Sequence, residues 1–234
     1  MMQSAISPNE EISVIIPTLN EDSALPAALQ SLGRLEAVEI IITDGGSLDG
    51  TRQLAIRCGA RVLSSPAGRA KQLNLGAEAA SGDILLFLHA DTLLPRHFGQ
   101  HVRAALSAPQ VVGGAFELRI DAPNPRLRCI ERLANWRSRQ LQLPYGDQAL
   151  FVRSEVFRAL GGFPDLPIME DFEFVRRLRR RGRLVILPDP VVTSARRWER
   201  LGVLRTTLIN QLTILGYLSG IHPSRLASFY GRTR

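Results

Sequence analysis

Cysteine is nearly absent from this chain of 234 residues: only Cys58 and Cys129 occur, far apart and in no metal-ligand spacing. That excludes a disulfide framework and a zinc module, and leaves two reduced thiols. Long apolar runs are missing too. None reaches the roughly 18–20 residues that a spanning helix needs. The first residues, Met1 to Glu10, have neither the basic start nor the apolar core of a signal peptide. The expectation is a cytoplasmic protein with a flexible stretch at residues 1–10. No Gly/Ser/Pro-rich linker, internal repeat or low-complexity tract divides the rest, so residues 11–230 are expected to form a single domain. Acidic residues are outnumbered, 22 against 29 lysines and arginines, for a net charge of +7. The excess suggests anionic partners, which nucleotides, nucleic acid and acidic membrane surfaces all satisfy.

The most informative stretch is Gly82 to Asp91. Its apolar run, Ile84 to Leu88, is too short for a free-standing helix and predicts a strand buried on both faces. Such strands lie in parallel sheets, which bind ligands at their carboxyl ends, where His89 and Asp91 emerge. A carboxylate there is a candidate ligand for a divalent cation, which in turn holds phosphate oxygens. The alternative is that Asp91-Thr92 merely caps a turn.

Around this strand the pattern alternates. Ile12 to Pro17, Val38 to Thr43 and Arg61 to Ser64 predict strands; Ala24 to Leu32, Thr51 to Cys58 and Gly68 to Ala80 predict helices. This is the pattern of βαβ units in a mostly parallel central sheet flanked by helices. Further on, Val111 to Ile120, Gln148 to Val152 and Leu184 to Leu187 predict strands, and Arg126 to Gln140, Asp171 to Arg181 and Leu201 to Ile221 predict helices.

Three polar turns therefore fall at carboxyl strand ends: Thr18/Asn20/Glu21, Asp44-Gly45-Gly46-Ser47 and His89-Ala90-Asp91. Each alone is explained by turn chemistry; together on one edge they predict a pocket. Asp44 is placed to accept hydrogen bonds from a base or ribose, and the neighbouring glycines admit a ligand to the backbone. Arg69 and Lys71, opening a helix, are placed to meet phosphate charge or to form a solvated first turn. Glu170-Asp171 also opens a helix, where the dipole alone favours acids. The run Arg176 to Arg183 reads as a solvated face ahead of lipid or nucleic-acid contact, because no aromatic-interleaved recognition motif accompanies it. The helix Leu201 to Ile221 reads as a core or homodimer-interface element, with an interfacial membrane helix as the alternative.

Val14-Ile-Ile-Pro-Thr-Leu-Asn-Glu21, Asp44 to Thr51, Gly68-Arg-Ala with Asn74-Leu-Gly76, and Leu86 to Asp91, in this order, resemble family 2 glycosyltransferases of the GT-A fold. Gly146-Asp-Gln148, Met169-Glu-Asp171 and Thr193 to Trp198 are similar, more narrowly, to the radical-SAM/selenodomain-associated "transferase 2" subgroup. The resemblance implies a GT-A-like α/β domain that transfers a sugar, with inversion and metal assistance, from a nucleotide-diphosphate sugar to an acceptor hydroxyl, with a UDP-sugar as the first donor to consider. It implies nucleotide contacts from Thr18, Asn20, Glu21, Asp44, Gly46, Arg69 and Ala90, and Mn²⁺ or Mg²⁺ at His89 and Asp91. His89 stands where the family's motif has its first acid, and an imidazole there tilts preference towards Mn²⁺. A late histidine, His222, is a further metal candidate. Asp171 corresponds to the general base and Glu170 to its support, while Arg196, Arg197 and Trp198 resemble a signature that meets diphosphate or acceptor. The upstream Gln of the processive motif is not evident. A nucleotidyltransferase is the competing enzyme class, but no opening Gly-rich loop supports it; a basic nucleotide- or nucleic-acid-binding module without catalysis is the non-enzymatic one. Nucleic acid is not expected as a partner, and peripheral contact with the inner membrane face is an open expectation.

Overall fold

The computed structural model describes residues 10–33 and 38–232. The predicted flexible stretch at residues 1–10 therefore falls, but for Glu10, outside the described residues. The first half of the chain alternates as its pattern predicts: β1 (Ile12–Thr18), α1 (Leu25–Leu32), β2 (Val38–Asp44), α2 (Thr51–Arg57), β3 (Arg61–Ser64), α3 (Arg69–Ala79) and β4 (Ile84–Phe87). After β5 (Thr92–Leu93) and α4 (Phe98–Leu106) come β6 (Val111–Asp121), α5 (Pro125–Leu141), β7 (Leu150–Arg153), α6 (Ser154–Ala159), α7 (Glu170–Leu178) and β8 (Arg183–Ser194). Three helices close the described chain: α8 (Arg196–Leu201), α9 (Val203–Leu218) and α10 (Pro223–Arg232).

One eight-stranded sheet runs in the order β3-β2-β1-β4-β7-β6-β8-β5. Its β3-β2-β1-β4 half is parallel throughout, while β7 is antiparallel to both its neighbours and β5 to β8. The long β6–β8 pair is parallel again, so parallel pairing predominates.

Strand β4 sits inside the sheet with both faces covered. Ile84, Leu86 and Leu88 join one core with Ile12, Val14, Ile16, Leu25 and Phe98. Leu85 and Phe87 join the other, with Ile15, Leu73, Phe157 and Phe174. The two-residue period of the strand divides its side chains between these cores. Helix α3 lies so close to the sheet that a methyl group on Gly76 would come within 2.4 Å of Ile15 Cγ2. Phe174 of α7 joins Phe87, Phe157 and Phe163 in a cluster of ring contacts, with centroids 4.6–5.5 Å apart.

Two predicted boundaries are corrected. The strand at Leu184 to Leu187 continues to Ser194 because Pro188 and Asp189 are absorbed in an irregularity: Leu187 pairs with Phe116 and Pro190 with the next residue, Glu117. A bulge tolerates proline where regular ladder does not. The single helix Leu201 to Ile221 is in fact interrupted at Gly202, whose φ of 84° suits glycine, and it ends at Leu218.

Candidate active site

The carboxyl ends of β1, β2 and β4 meet on one edge, as the turns predict. The first two turns are laced together by side chains. Asn20 Oδ1 accepts from Leu48 N at 2.8 Å, Asn20 N donates to Ser47 Oγ at 2.9 Å, and Glu21 N donates to Thr51 Oγ1 at 2.8 Å. Gln72, on α3, ties the strand ends from below by donating to Thr18 O and Thr43 O at 2.9 and 2.7 Å.

Asp44 does not present its carboxylate as expected. It is fully buried, and its oxygens accept from Ser47 Oγ, Ser47 N, Gly46 N and Thr18 Oγ1 at 2.5–3.2 Å. Burial alone would raise its pKa, but these hydrogen bonds outweigh it and hold the group below the usual carboxylate range. The residue shapes the Asp-Gly-Gly-Ser turn, and Gly46, at φ 97°, completes it. Thr18 is buried with it, which leaves Asn20 and Glu21 as the reachable side chains of the first turn.

Ala90 is buried at the end of β4, and Asp91 emerges beyond it, half-exposed. Arg196, at the start of α8, donates from Nη2 to Asp91 Oδ2 at 3.1 Å and to Glu21 Oε2 at 2.9 Å. The other two residues of that run turn elsewhere: the Arg197 guanidinium lies 4.0 Å from the Tyr230 ring centroid, and Trp198 packs against the core. His222 accepts from Ser224 N at 3.3 Å at the start of α10. Among the described residues, no three His, Cys, Asp or Glu side chains gather as a ready metal set, so His89, Asp91 and His222 do not form one.

The acidic pair opens α7 as predicted. Glu170 is buried and Arg69 Nε lies 3.6 Å from its Oε1. Asp171 Oδ2 accepts from Gly146 N at 2.7 Å, while its Oδ1 accepts from Phe172 N at 2.7 Å. A methyl group on Gly146 would lie 2.9 Å from Asp171 Oδ2 and 3.4 Å from His89 Nε2, so the β4 end, the α7 start and the 146–148 turn converge on this glycine.

The turn contributes a residue that the sequence reading names only within the Gly146-Asp-Gln148 motif and gives no role. Asp147 has an enclosed Oδ1 with no hydrogen-bond partner. Burial pushes its carboxyl up to about 6 against the pull of Arg137; the nearby Asp171 charge raises it further, and Arg69 opposes. Beneath it, buried Gln148 fixes the turn: Oε1 accepts from Ser138 Oγ, Arg137 Nη2 and Tyr145 N at 2.7–3.2 Å, and Nε2 donates to Phe116 O at 2.9 Å. Non-glycine residues with positive φ also mark the site: Asn20 in the first turn, Ala149 after Gln148 and Met169 before Glu170. Such conformations persist where surrounding structure over-determines them, and they cluster at functional sites.

A parallel half-sheet with polar turns at its carboxyl edge, a cationic residue beside a strand-end Asp, and a held carboxylate opposite defines a GT-A type of α/β domain. The family description "Glycosyl transferase family 2" matches residues 13–161, and the chain belongs to that family. The glucosyl-3-phosphoglycerate synthase of Mycobacterium tuberculosis is 34% identical over 96 residues, 36% of this chain; the match spans only 30% of the synthase's length. A PGL/p-HBAD biosynthesis glycosyltransferase of the same species is 28% identical over 226 residues, 85% of this chain and 80% of that protein. In fold, the chain matches the synthase in complex with Mn²⁺, UDP and phosphoglyceric acid with a TM-score of 0.64 at 21% identity, over 91% of this chain and 79% of that one. It also matches the mannosyltransferase PcManGT of Pyrobaculum calidifontis, in complex with GDP-Man and Mn²⁺, with a TM-score of 0.64 at 19% identity, over 96% of this chain and 70% of that one.

Proposed function

We propose that this chain transfers a sugar from a nucleotide-diphosphate donor to an acceptor hydroxyl with inversion, and that Asp171 is the general base. The observation that carries the reading is the hold on Asp171: a carboxylate at the start of α7, fixed by the Gly146 amide at 2.7 Å and facing the same glycine as His89. A base must be held in place and reach the acceptor on the face opposite the leaving group, and this carboxylate is fixed at Gly146, the glycine that the His89 strand end approaches.

The acceptor oxygen attacks the anomeric carbon as its proton passes to Asp171, while the bond to the diphosphate oxygen breaks on the opposite face. Glu170, held by Arg69, keeps the α7 start in register. Arg69 and Arg196 supply positive charge for the departing diphosphate. A uridine diphosphate is the first donor to test, since the synthase is in complex with UDP, although GDP-Man in the mannosyltransferase keeps guanosine in the comparison.

The donor set suits a cation whose shell is completed by substrate. One carboxylate, Asp91, with the His89 imidazole at the same strand end, is a sparse protein contribution, of the kind that Mn²⁺ or Mg²⁺ accepts when phosphate oxygens supply the remainder. Such an ion would neutralise charge on the leaving group. His222 serves α10 instead.

The test is Asp171→Asn. Transfer should fall by at least about a thousandfold while nucleotide-diphosphate affinity stays within about twofold of wild type. Full turnover in the variant would remove Asp171 from the role of base.

A further inference from the structure

Helix α9 is turned inside out. Thr206, Ile209 and Thr213 face the protein, whereas Leu204, Leu208, Leu212, Leu215 and Leu218 are 47–74% exposed. The two threonines are satisfied within the fold, Thr213 by donating to Ile209 O at 2.8 Å and Thr206 by a long contact to Arg197 O at 3.5 Å. The five leucines recur at spacings of four, four, three and three, so they form one stripe along the helix. At the far end Ile221 and Phe229, on the turn and on α10, extend the apolar surface with 44% and 42% exposure. The α9–α10 corner is itself packed: a methyl group on Gly216 would meet Leu226 Cδ2 at 2.9 Å and Ile221 Cδ1 at 3.3 Å. The leucine face is therefore presented by a built element and not by a frayed end.

The charge around the stripe points to what covers it. After Glu199 the chain carries no Asp or Glu, yet it holds Arg200, Arg205, Arg225, Arg232 and Arg234. Between Arg205 and Arg225 there is no charged residue but the titratable His222. A leucine stripe on a segment with exposed Arg200, Arg205 and Arg225 and no acid of its own complements a surface that is apolar within and anionic at its border, which describes a bilayer of acidic lipids. A second copy of the same face would instead bring arginine rims together with no carboxylate in the segment to offset them. The helix has 16 residues, about 24 Å at 1.5 Å per residue, too short to cross a hydrocarbon core of about 30 Å. It fits lying in the plane of the interface. No helix among the described residues is long and apolar enough to cross a membrane.

We propose that α9 and α10 dock this protein on anionic lipid surfaces, with the α9 leucines entering the headgroup–acyl boundary and the arginines meeting lipid phosphate. The inference stands apart from the transfer chemistry, but it has a bearing on it. Arg196, which bonds Asp91 and Glu21, opens α8, and α8 joins α9 through Gly202, so docking would hold the strand-end site close to the lipid surface.

The experiment is flotation of the full chain with vesicles of phosphatidylcholine alone and of phosphatidylcholine mixed with phosphatidylglycerol. Wild type is compared with Leu208→Gln/Leu212→Gln/Leu215→Gln and, separately, with Arg205→Gln/Arg225→Gln. Because the substituted leucines are exposed, the triple variant should keep its thermal midpoint, which is measured alongside. The expected result is flotation with the mixed vesicles, about tenfold weaker with neutral ones, weakened at high salt and in the arginine variant, and lost in the leucine variant. Wild type that ignores both vesicles overturns the proposal. So does undiminished binding by the leucine variant, which would leave only a diffuse electrostatic contact. Concentration-dependent dimerisation of wild type, abolished by the leucine substitutions and unaccompanied by vesicle binding, overturns it in favour of a contact between copies.

Discussion

Replacing Asp147 by Asn should stabilise the protein at neutral pH and do nothing for it in acid. The Asp147 carboxyl is raised from 3.8 to about 6, mainly by burial and further by the Asp171 charge. A carboxyl that binds its proton more tightly in the folded than in the unfolded chain favours folding at low pH. That contribution is complete below a pH of about 3.8 and is lost as pH rises through about 6. A gap of about two pKa units, at 1.36 kcal/mol each, sets a ceiling of about 3 kcal/mol on the charged group's cost. The Asp147 residue retains some exposure, so a realised difference of about 1–2 kcal/mol is expected. Asn keeps the shape and does not titrate. The assay is urea unfolding of both proteins at a series of pH values between about 4 and 8, in chelator so that no metal enters the linkage. The stability difference, variant minus wild type, should be smallest near pH 4 and grow through pH 6 to a plateau. A difference that is flat across the series would refute the assignment of a strained carboxylate to this position.

Other consequences follow from named contacts. Gly146→Ala should lower kcat by about a hundredfold, because its methyl would press on Asp171 Oδ2 at 2.9 Å and displace the proposed base, with only a small change in thermal midpoint. Steady-state kinetics with circular dichroism melts checks both halves. Gly76→Ala should do the reverse: the 2.4 Å approach to Ile15 pushes α3 from the sheet, costing about 1–3 kcal/mol in chemical denaturation. Phe174→Ala, which removes the α7 ring that meets Phe157 and Phe163, should cost about 3–5 kcal/mol in the same assay.

The parallel half of the sheet was legible because each strand is a short apolar run with a side-chain period of two and a polar exit. Ile84 to Leu88 could be placed inside the sheet from five letters, since a strand apolar at every position must be covered twice. The second half was harder. The predicted strand stops at Leu187, before Pro188 and Pro190, and only pairing with the long β6 shows the bulge that carries β8 on to Ser194. The leucines of α9 read as core or homodimer interface, with a membrane surface as the alternative, because hydrophobicity reports how much surface wants burial and not which side the fold leaves uncovered. At the site, Glu170-Asp171 and Asp91 stood out as acids at element boundaries. Asp147 did not, since an Asp after Gly is ordinary turn composition, and its raised pKa depends on burial in the fold and on the charges of Arg137, Asp171 and Arg69 from other elements. The buried, self-bonded state of Asp44 had a signal: Asp-Gly-Gly-Ser is a sequence able to satisfy its own carboxylate.

The way Gln148 is bonded has a consequence for how this enzyme family member can be altered. One buried amide ties the turn to α5 through Ser138 and Arg137 and to β6 through the Phe116 carbonyl, so the path of the backbone at 145–148 is dictated from underneath. A library randomised at Asp147, with Pro144, Tyr145, Gly146, Gln148, Arg137 and Ser138 retained, would vary the surroundings of Asp171 while preserving its support, which makes that position a replaceable part on a fixed mount.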